Sequence, residues 1–206
     1  ITNAVGNTPL IAVRKDDGDF TGTADGLEYP NSAALGTLND AQARTWRTLG
    51  NVEGRYRLLD ALSWTSRVGF DVLSLRESQY ESPRVGGTYA ASNGGVAKSG
   101  TTQGARYSID NFATWDGLLG GRHDVDLTVG SSVELNRGEL NFVRGEKLAN
   151  DRLRQVRNAA VIVDADATSF ENNLVSFFSR GSWTFDDRFT LRGTVRYDGS
   201  SRFGEN

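Results

Sequence analysis

Three features of the sequence predict an all-β fold of antiparallel, up-and-down strands. Uncharged and charged rows alternate with period two in six runs. Tight-turn chemistry joins the runs in pairs. Gly is abundant (24 residues) and Pro scarce (3), which suits long strands. Successive strand side chains point to opposite faces, so every second residue belongs to one face. In 172–204, Val175, Phe177, Ser179, Gly181, Trp183 and Phe185 form one row, and Leu174, Ser176, Phe178, Arg180, Ser182 and Thr184 form the other. After Asp186-Asp187-Arg188, the row Phe189, Leu191, Gly193, Val195, Tyr197 opposes Thr190, Arg192, Thr194, Arg196, Asp198. This is a hairpin.

The same pattern appears twice earlier. In 43–75, Trp46, Thr48, Gly50, Val52, Gly54, Tyr56 and Leu58 oppose Arg47, Leu49, Asn51, Glu53, Arg55 and Arg57. Beyond a brief turn at Leu59-Asp60-Ala61, Leu62, Trp64, Ser66, Val68, Phe70 and Val72 oppose Ser63, Thr65, Arg67, Gly69, Asp71 and Leu73. In 105–135, Ala105, Tyr107, Ile109, Asn111, Ala113 and Trp115 oppose Arg106, Ser108, Asp110, Phe112 and Thr114. Past a turn in 116–122, Val125, Leu127, Val129, Ser131, Val133 and Leu135 oppose Asp124, Asp126, Thr128, Gly130, Ser132 and Glu134. Between the hairpins, 1–42, 76–104 and 136–171 read as long polar loops, with a short helix expected near 150–157. One end of the sheet thus carries tight turns and the other large loops.

An apolar row suits either the core of a soluble sandwich or lipid. Strand length, aromatic placement and charge favour lipid. Each run is about 12–15 residues against a usual 5–6, long enough when tilted to cross a bilayer. Trp and Tyr sit near both ends of the runs, as in the girdles of membrane barrels. No uncharged row contains Asp, Glu, Lys or Arg, while every opposite row does. The expectation is therefore a lumen-facing polar wall that includes Arg67, Asp71, Arg106, Asp110, Asp124, Asp126, Arg180, Arg192, Arg196 and Asp198. About six strands cannot close a membrane barrel, whose bacterial minimum is about eight, so a segment of a longer chain is expected.

Other chemistry is sparse. Cysteine is absent and His123 is the lone histidine, so thiolate metal sites are excluded and a His-based triad has little support. His123 is expected at the short-turn border. Asp16-Asp17-Gly18-Asp19 lacks the spacing and final Glu of a calcium loop and reads as a solvated turn. Asp124/Asp126 read as ion-paired wall lining, and Asp164/Asp166 as a solvated loop. Gly86-Gly87 and Gly94-Gly95 lack the Lys-Ser/Thr of a phosphate loop. The net charge of −3 gives no reason to expect nucleic acid.

Glu171-Asn172-Asn173-Leu174, Ser176-Phe177-Phe178-Ser179-Arg180 and Arg196-Tyr197-Asp198-Gly199-Ser200-Ser201-Arg202-Phe203-Gly204 together resemble the SusC/RagA family of TonB-dependent outer-membrane transporters, as does the stretch from Leu49 to Pro83. The resemblance implies a wall segment of a barrel of about 22 strands in the outer membrane of Bacteroidota. It also implies a plug in the lumen, a SusD-like surface lipoprotein at the mouth and TonB engaged through an N-terminal region outside this sequence. The cargo would be a large nutrient such as a glycan or peptide. Neither a cofactor nor a catalytic residue is implied. Asp198, Gly199, Ser200, Ser201, Arg202, Phe203 and Gly204 form the family's marker, read here as a strand-end turn in which Gly199 permits a bulge or positive φ. A smaller porin-like barrel and a secreted β-sandwich binding module are the alternatives.

Overall fold

A computed structural model describes residues 7, 11–27 and 29–201. Six strands, β1 (Asp40–Leu59), β2 (Leu62–Glu81), β3 (Val96–Leu119), β4 (His123–Leu148), β5 (Ala159–Phe185) and β6 (Phe189–Ser200), form one sheet in the order β1-β2-β3-β4-β5-β6. Each strand pairs with its sequence neighbour, the up-and-down order expected. The tight turns are those read from the sequence. Gly120 and Gly121 close β3–β4 at φ 57° and 68°, and Asp186 and Asp187 close β5–β6 at φ 54° each. That left-handed region is open to Gly and tolerated by Asp.

The expected loop boundaries are too wide. β2 runs six residues past 75, and β3 begins at Val96 inside the expected loop 76–104. β4 and β5 likewise fill most of 136–171, so Asp164 and Asp166 lie on β5 and not in a loop. The extensions 76–81, 97–104 and 136–148 carry polar or charged residues on both rows, so no clean alternation marks them, whereas 161–168 does alternate, Val161, Val163, Ala165 and Ala167 against Ile162, Asp164, Asp166 and Thr168; the backbone ladder continues through all of them. The helix expected near 150–157 is only a 3₁₀ turn, Val156–Asn158. Conversely, 1–42 holds a short helix α1 (Ser32–Leu38), a 3₁₀ turn (Thr23–Asp25) and the start of β1.

The residues cluster into two compact units. The first comprises 1–46, 74–102 and 139–168. It holds all the buried apolar side chains among the described residues: Leu27, Ala34, Tyr80, Val85, Ala90, Val96, Ala97 and Leu148. Asn31 organises its N-terminal part. The carboxamide caps α1 by accepting from the backbone N–H of Ala33 (3.0 Å) and Ala34 (3.3 Å), and it donates to the carbonyls of Val13 (2.8 Å) and Thr21 (2.9 Å). Elsewhere in this unit Val156 packs on Tyr80, Ala97 and Leu148. A second helical turn, α2 (Tyr89–Ser92), is capped by Thr88.

The other unit comprises 47–73, 103–138 and 169–206. It is built inside out. Its only buried described residues are Thr65, Gly138 and Ser176. Its large apolar side chains stand in the open: Val195 is 73 % exposed, Val52 71 % and Phe177 59 %. A water-soluble sheet would bury such a face against another layer.

Candidate functional site

The polar rows of the inside-out unit are the candidate site. On β1 and β2, the Arg47 guanidinium donates to both oxygens of Asp71 at 2.8 and 2.6 Å. Arg67 Nη2 reaches Glu53 at 2.6 Å, and Arg55 Nε donates to the Thr65 hydroxyl at 3.3 Å. On β3 and β4, Arg106 faces Glu134 at 3.3 Å, the Ser132 hydroxyl donates to Asp110 at 2.6 Å, and the hydroxyls of Thr114 and Thr128 meet at 3.1 Å. On β5 and β6 the register pairs Ser176 with Asp198, Phe178 with Arg196, Arg180 with Thr194 and Ser182 with Arg192. Arg196 donates to Asp198 (2.7 Å) and to the Ser176 hydroxyl (2.9 Å). Every one of these contacts joins two members of charged rows, so cross-strand chemistry fixes those rows on a common side within each pair. Exposed ion pairs add little stability, about 0–1 kcal/mol each; here they record which way the side chains face.

Several expected residues stand apart from this network. Asp124 and Asp126 have no ion pair among the described residues, so their expected role as paired lining is not what the structure shows. Arg180 and Arg192 also lack one. His123 does sit beside a tight turn, where its Nδ1 accepts from Trp183 Nε1 at 3.1 Å and its ring lies 5.0 Å from Phe185. That environment is structural. The marker turn is corrected: Gly199 and Ser200 are strand residues, paired with Val175 and Leu174, and Gly199 is not among the residues of positive φ. Asp198 is held by Arg196 at 2.7 Å, and the ladder runs on through Gly199 and Ser200. Ser201 ties the strand end by accepting from the backbone N–H of Asn173 at 2.9 Å. Arg202, Phe203 and Gly204 lie outside the described residues.

Sequence reasoning missed a second polar cluster, in the unit with the apolar core. The Asp151 carboxylate accepts from the Tyr80 hydroxyl (2.5 Å) and the Ser82 hydroxyl (3.0 Å) and faces Arg84 at 3.6 Å. Arg84 also pairs with Asp19 at 2.7 Å. Burial and the neighbouring carboxylate push the Tyr80 hydroxyl up to about 12. The Phe20 backbone N–H and the Arg84 guanidinium hold Asp19 below its usual value, and Lys15 with the Gly22 N–H does the same for Asp25. These acids lie far apart in sequence, which left no signal to read. The cluster ties the end of β2 to the segments that carry Arg84, Asp151 and Asp19, and among the described residues no group of acids and histidines could hold a metal ion.

Long paired strands with an apolar side and an ion-paired side define a class: the chain is a segment of the wall of a large antiparallel β-barrel. The comparisons then point to particular proteins. The chain is 23 % identical to TonB-dependent receptor P3 of Formosa agariphila over 210 residues, all of this chain and 20 % of that protein. The fold matches a chain of the RagAB peptide transporter (TM-score 0.77, 19 % identity, 91 % of this chain and 22 % of that one). It also matches the RagAB peptide importer in its open-open state (TM-score 0.80, 19 % identity, 100 % and 23 %) and its closed-closed state (0.78, 19 %, 98 % and 23 %). No protein-family model matches. The chain therefore resembles a SusC/RagA-like TonB-dependent transporter in sequence and fold, and it spans about a fifth of the length of these relatives.

Proposed function

We propose that this chain is a wall segment of a TonB-dependent outer-membrane transporter that imports large nutrients, glycans or peptides, with a SusD-like surface lipoprotein. TonB acts through a region outside the sequence, and the protein is not an enzyme. The carrying observation is the inside-out unit, with apolar side chains open on one set of rows and ion pairs on the other. Lipid covers the apolar rows, because a charge facing mid-bilayer costs about 2–4 kcal/mol and these rows carry none. The polar rows, with Arg67, Asp71, Arg106, Asp110, Asp124, Asp126, Arg180, Arg192, Arg196 and Asp198, line the lumen. Unpaired strand edges in lipid leave backbone groups unsatisfied, so β1 and β6 pair with further strands of the parent protein.

A soluble sandwich needs a second sheet over the apolar rows, and the six strands form a single sheet. A Bacteroidota outer membrane is the location that the Formosa relative and the sequence marker favour. The test is uptake. Cells lacking the parent gene should lose import of at least one oligopeptide or glycan from a panel. Import should return with the gene only when TonB is present. Unchanged import of the whole panel would overturn the reading.

A further inference from the structure

Charge returns to the apolar rows at one level of the sheet. On β1 that row runs Trp46, Arg44, Gln42, Asp40, and on β2 it runs Val72, Ser74, Arg76, Ser78, Tyr80. Glu53 meets Arg67 and Arg55 meets Thr65, and the same register carried along the two strands sets Gln42 opposite Ser78 and Arg44 opposite Arg76. Like charges directly across a ladder repel. Both arginines are exposed, and neither has an ion pair among the described residues.

Beside Gln42 and Ser78 lies a cavity of about 690 Å³. Its walls include Asp40, Gln42, Ser78 and Lys98 from the strands and Arg154 and Arg157 from the segment before β5. That segment lies on the apolar-row side, where Val156 packs on Tyr80 and Ala97 and the Arg154 guanidinium stands 5.0 Å from the Tyr80 ring. Lys98 is bound to Glu81 at 2.8 Å, and Asp151 is taken by Tyr80, Ser82 and Arg84. Arg44, Arg76, Arg154 and Arg157 are then left with the single carboxylate of Asp40. The neighbouring β3 row, Ala97, Ser99, Thr101 and Gln103, is uncharged. Further round, β4 and β5 add Arg137, Glu139 and Glu171 to the same side, so arginines still lead by five to three.

We infer that Arg44, Arg76 and this cavity bind the phosphorylated sugar headgroup of an outer-leaflet glycolipid. The inference rests on the barrel-wall reading above. Depth selects the occupant. Arg76 lies twelve residues beyond Trp64 on the β2 row, about 40 Å along the strand and about 30 Å in depth at a tilt of about 40°, one hydrocarbon thickness. Arg44 lies two residues beyond Trp46, whose ring marks the membrane border. Both guanidiniums stand where acyl chains end and phosphates begin, on the side of the long loops, which faces outward. A guanidinium fork binds phosphate in bidentate fashion. Beyond it, Asp40, Gln42 and Ser78 offer acceptors and donors to sugar hydroxyls, and Arg154 and Arg157 meet a second anionic group.

The test uses the full-length parent protein in detergent, stripped of native lipid, with native mass spectrometry to count bound lipid. The probes are lipid A, an acylated and phosphorylated glucosamine disaccharide, and phosphatidylglycerol, which has the phosphate without the sugar. Wild type should bind lipid A more tightly than phosphatidylglycerol and keep it in excess inorganic phosphate. Arg44→Gln/Arg76→Gln should bind lipid A about 30-fold more weakly. Arg55→Gln, on the polar row of β1, is the control and should match wild type. Arg154→Gln/Arg157→Gln, outside the strands, should weaken lipid A and spare phosphatidylglycerol, and it keeps the test decisive if the strand variant fails to assemble. Unchanged lipid A binding in either double variant, equal binding of the two lipids by wild type, or displacement by inorganic phosphate would overturn the proposal and leave the wall reading intact. Failure of the wild-type parent to form an outer-membrane barrel would instead remove the wall reading itself.

Discussion

Replacing Val129 by Arg in the parent protein separates the two faces of β4 most cleanly. Val129 is 51 % exposed and lies six residues from His123, the first residue of β4. Six residues rise about 20 Å, or about 15 Å in depth at a tilt of about 40°, half of a hydrocarbon layer of about 30 Å. An Arg there costs about 2–4 kcal/mol, and losing the valine from hydrocarbon adds about 1 kcal/mol. Thr128 points the other way, its hydroxyl 3.1 Å from that of Thr114. Thr128→Arg loses that hydrogen bond, about 1 kcal/mol, and meets no lipid. The two variants should differ by about 2–4 kcal/mol, roughly 30- to 700-fold in the folding equilibrium. Urea-titrated refolding into lipid vesicles, read by the heat-resistant folded band on a gel, measures this. Equal midpoints for the two variants, or a greater loss for Thr128→Arg, would refute the assigned facing.

Further outcomes follow from the same geometry. Gly130→Ala should cost about 1–3 kcal/mol by overpacking against Phe112, Phe178 and the Asn111 carbonyl, whereas Gly54→Ala, which meets nothing within 4 Å, should be near neutral in the same refolding assay. Asn31→Ala should lose a cap worth about 0.5–2 kcal/mol together with the ties to Val13 and Thr21. Limited proteolysis should then cut sooner within 11–38, with no change in the heat-resistant band. The Tyr80 hydroxyl titrates near 12 in the folded protein against about 10 in an unfolded chain. Its contribution is therefore complete below pH 10 and is lost as pH rises from about 10 to about 12. Cleavage within 149–158 should accelerate over that window, and less so in Tyr80→Phe. Asp19 and Asp25 act in the opposite direction: their support is present above the usual Asp value and fades as pH falls through their lowered values.

The strands and their facing were legible wherever one side differs in character from the other. Val125 to Leu135 against Asp124 to Glu134 is such a run, and period two alone orients it. The signal fails in 76–81 and 136–148, where Arg76 and Glu77, or Glu139 and Arg144, put charge on both rows. The ladder there continues on backbone hydrogen bonds, which are indifferent to side-chain polarity. The Asp151 cluster was invisible because Tyr80, Arg84 and Asp19 come together only after folding. Phe112 and Phe178 were readable as members of the polar rows. That they touch depends on the β3–β4–β5 order, and the space for them on Gly130, neither of which a single run displays. The marker misled in detail because Gly199 next to Asp198 has turn chemistry, yet Arg196 holds the carboxylate and the strand runs on.

The most direct measurement is a nitroxide scan of β4 in the parent protein reconstituted in bilayers, one label at each position from 125 to 135. Collision with dissolved oxygen, which concentrates in lipid, should peak at Val125, Leu127, Val129, Ser131, Val133 and Leu135. It should fall at the even positions between them, where a water-soluble nickel complex or protein cover should dominate. A flat profile, or oxygen maxima at Asp126, Thr128 and Ser132, would contradict a wall whose apolar rows meet lipid.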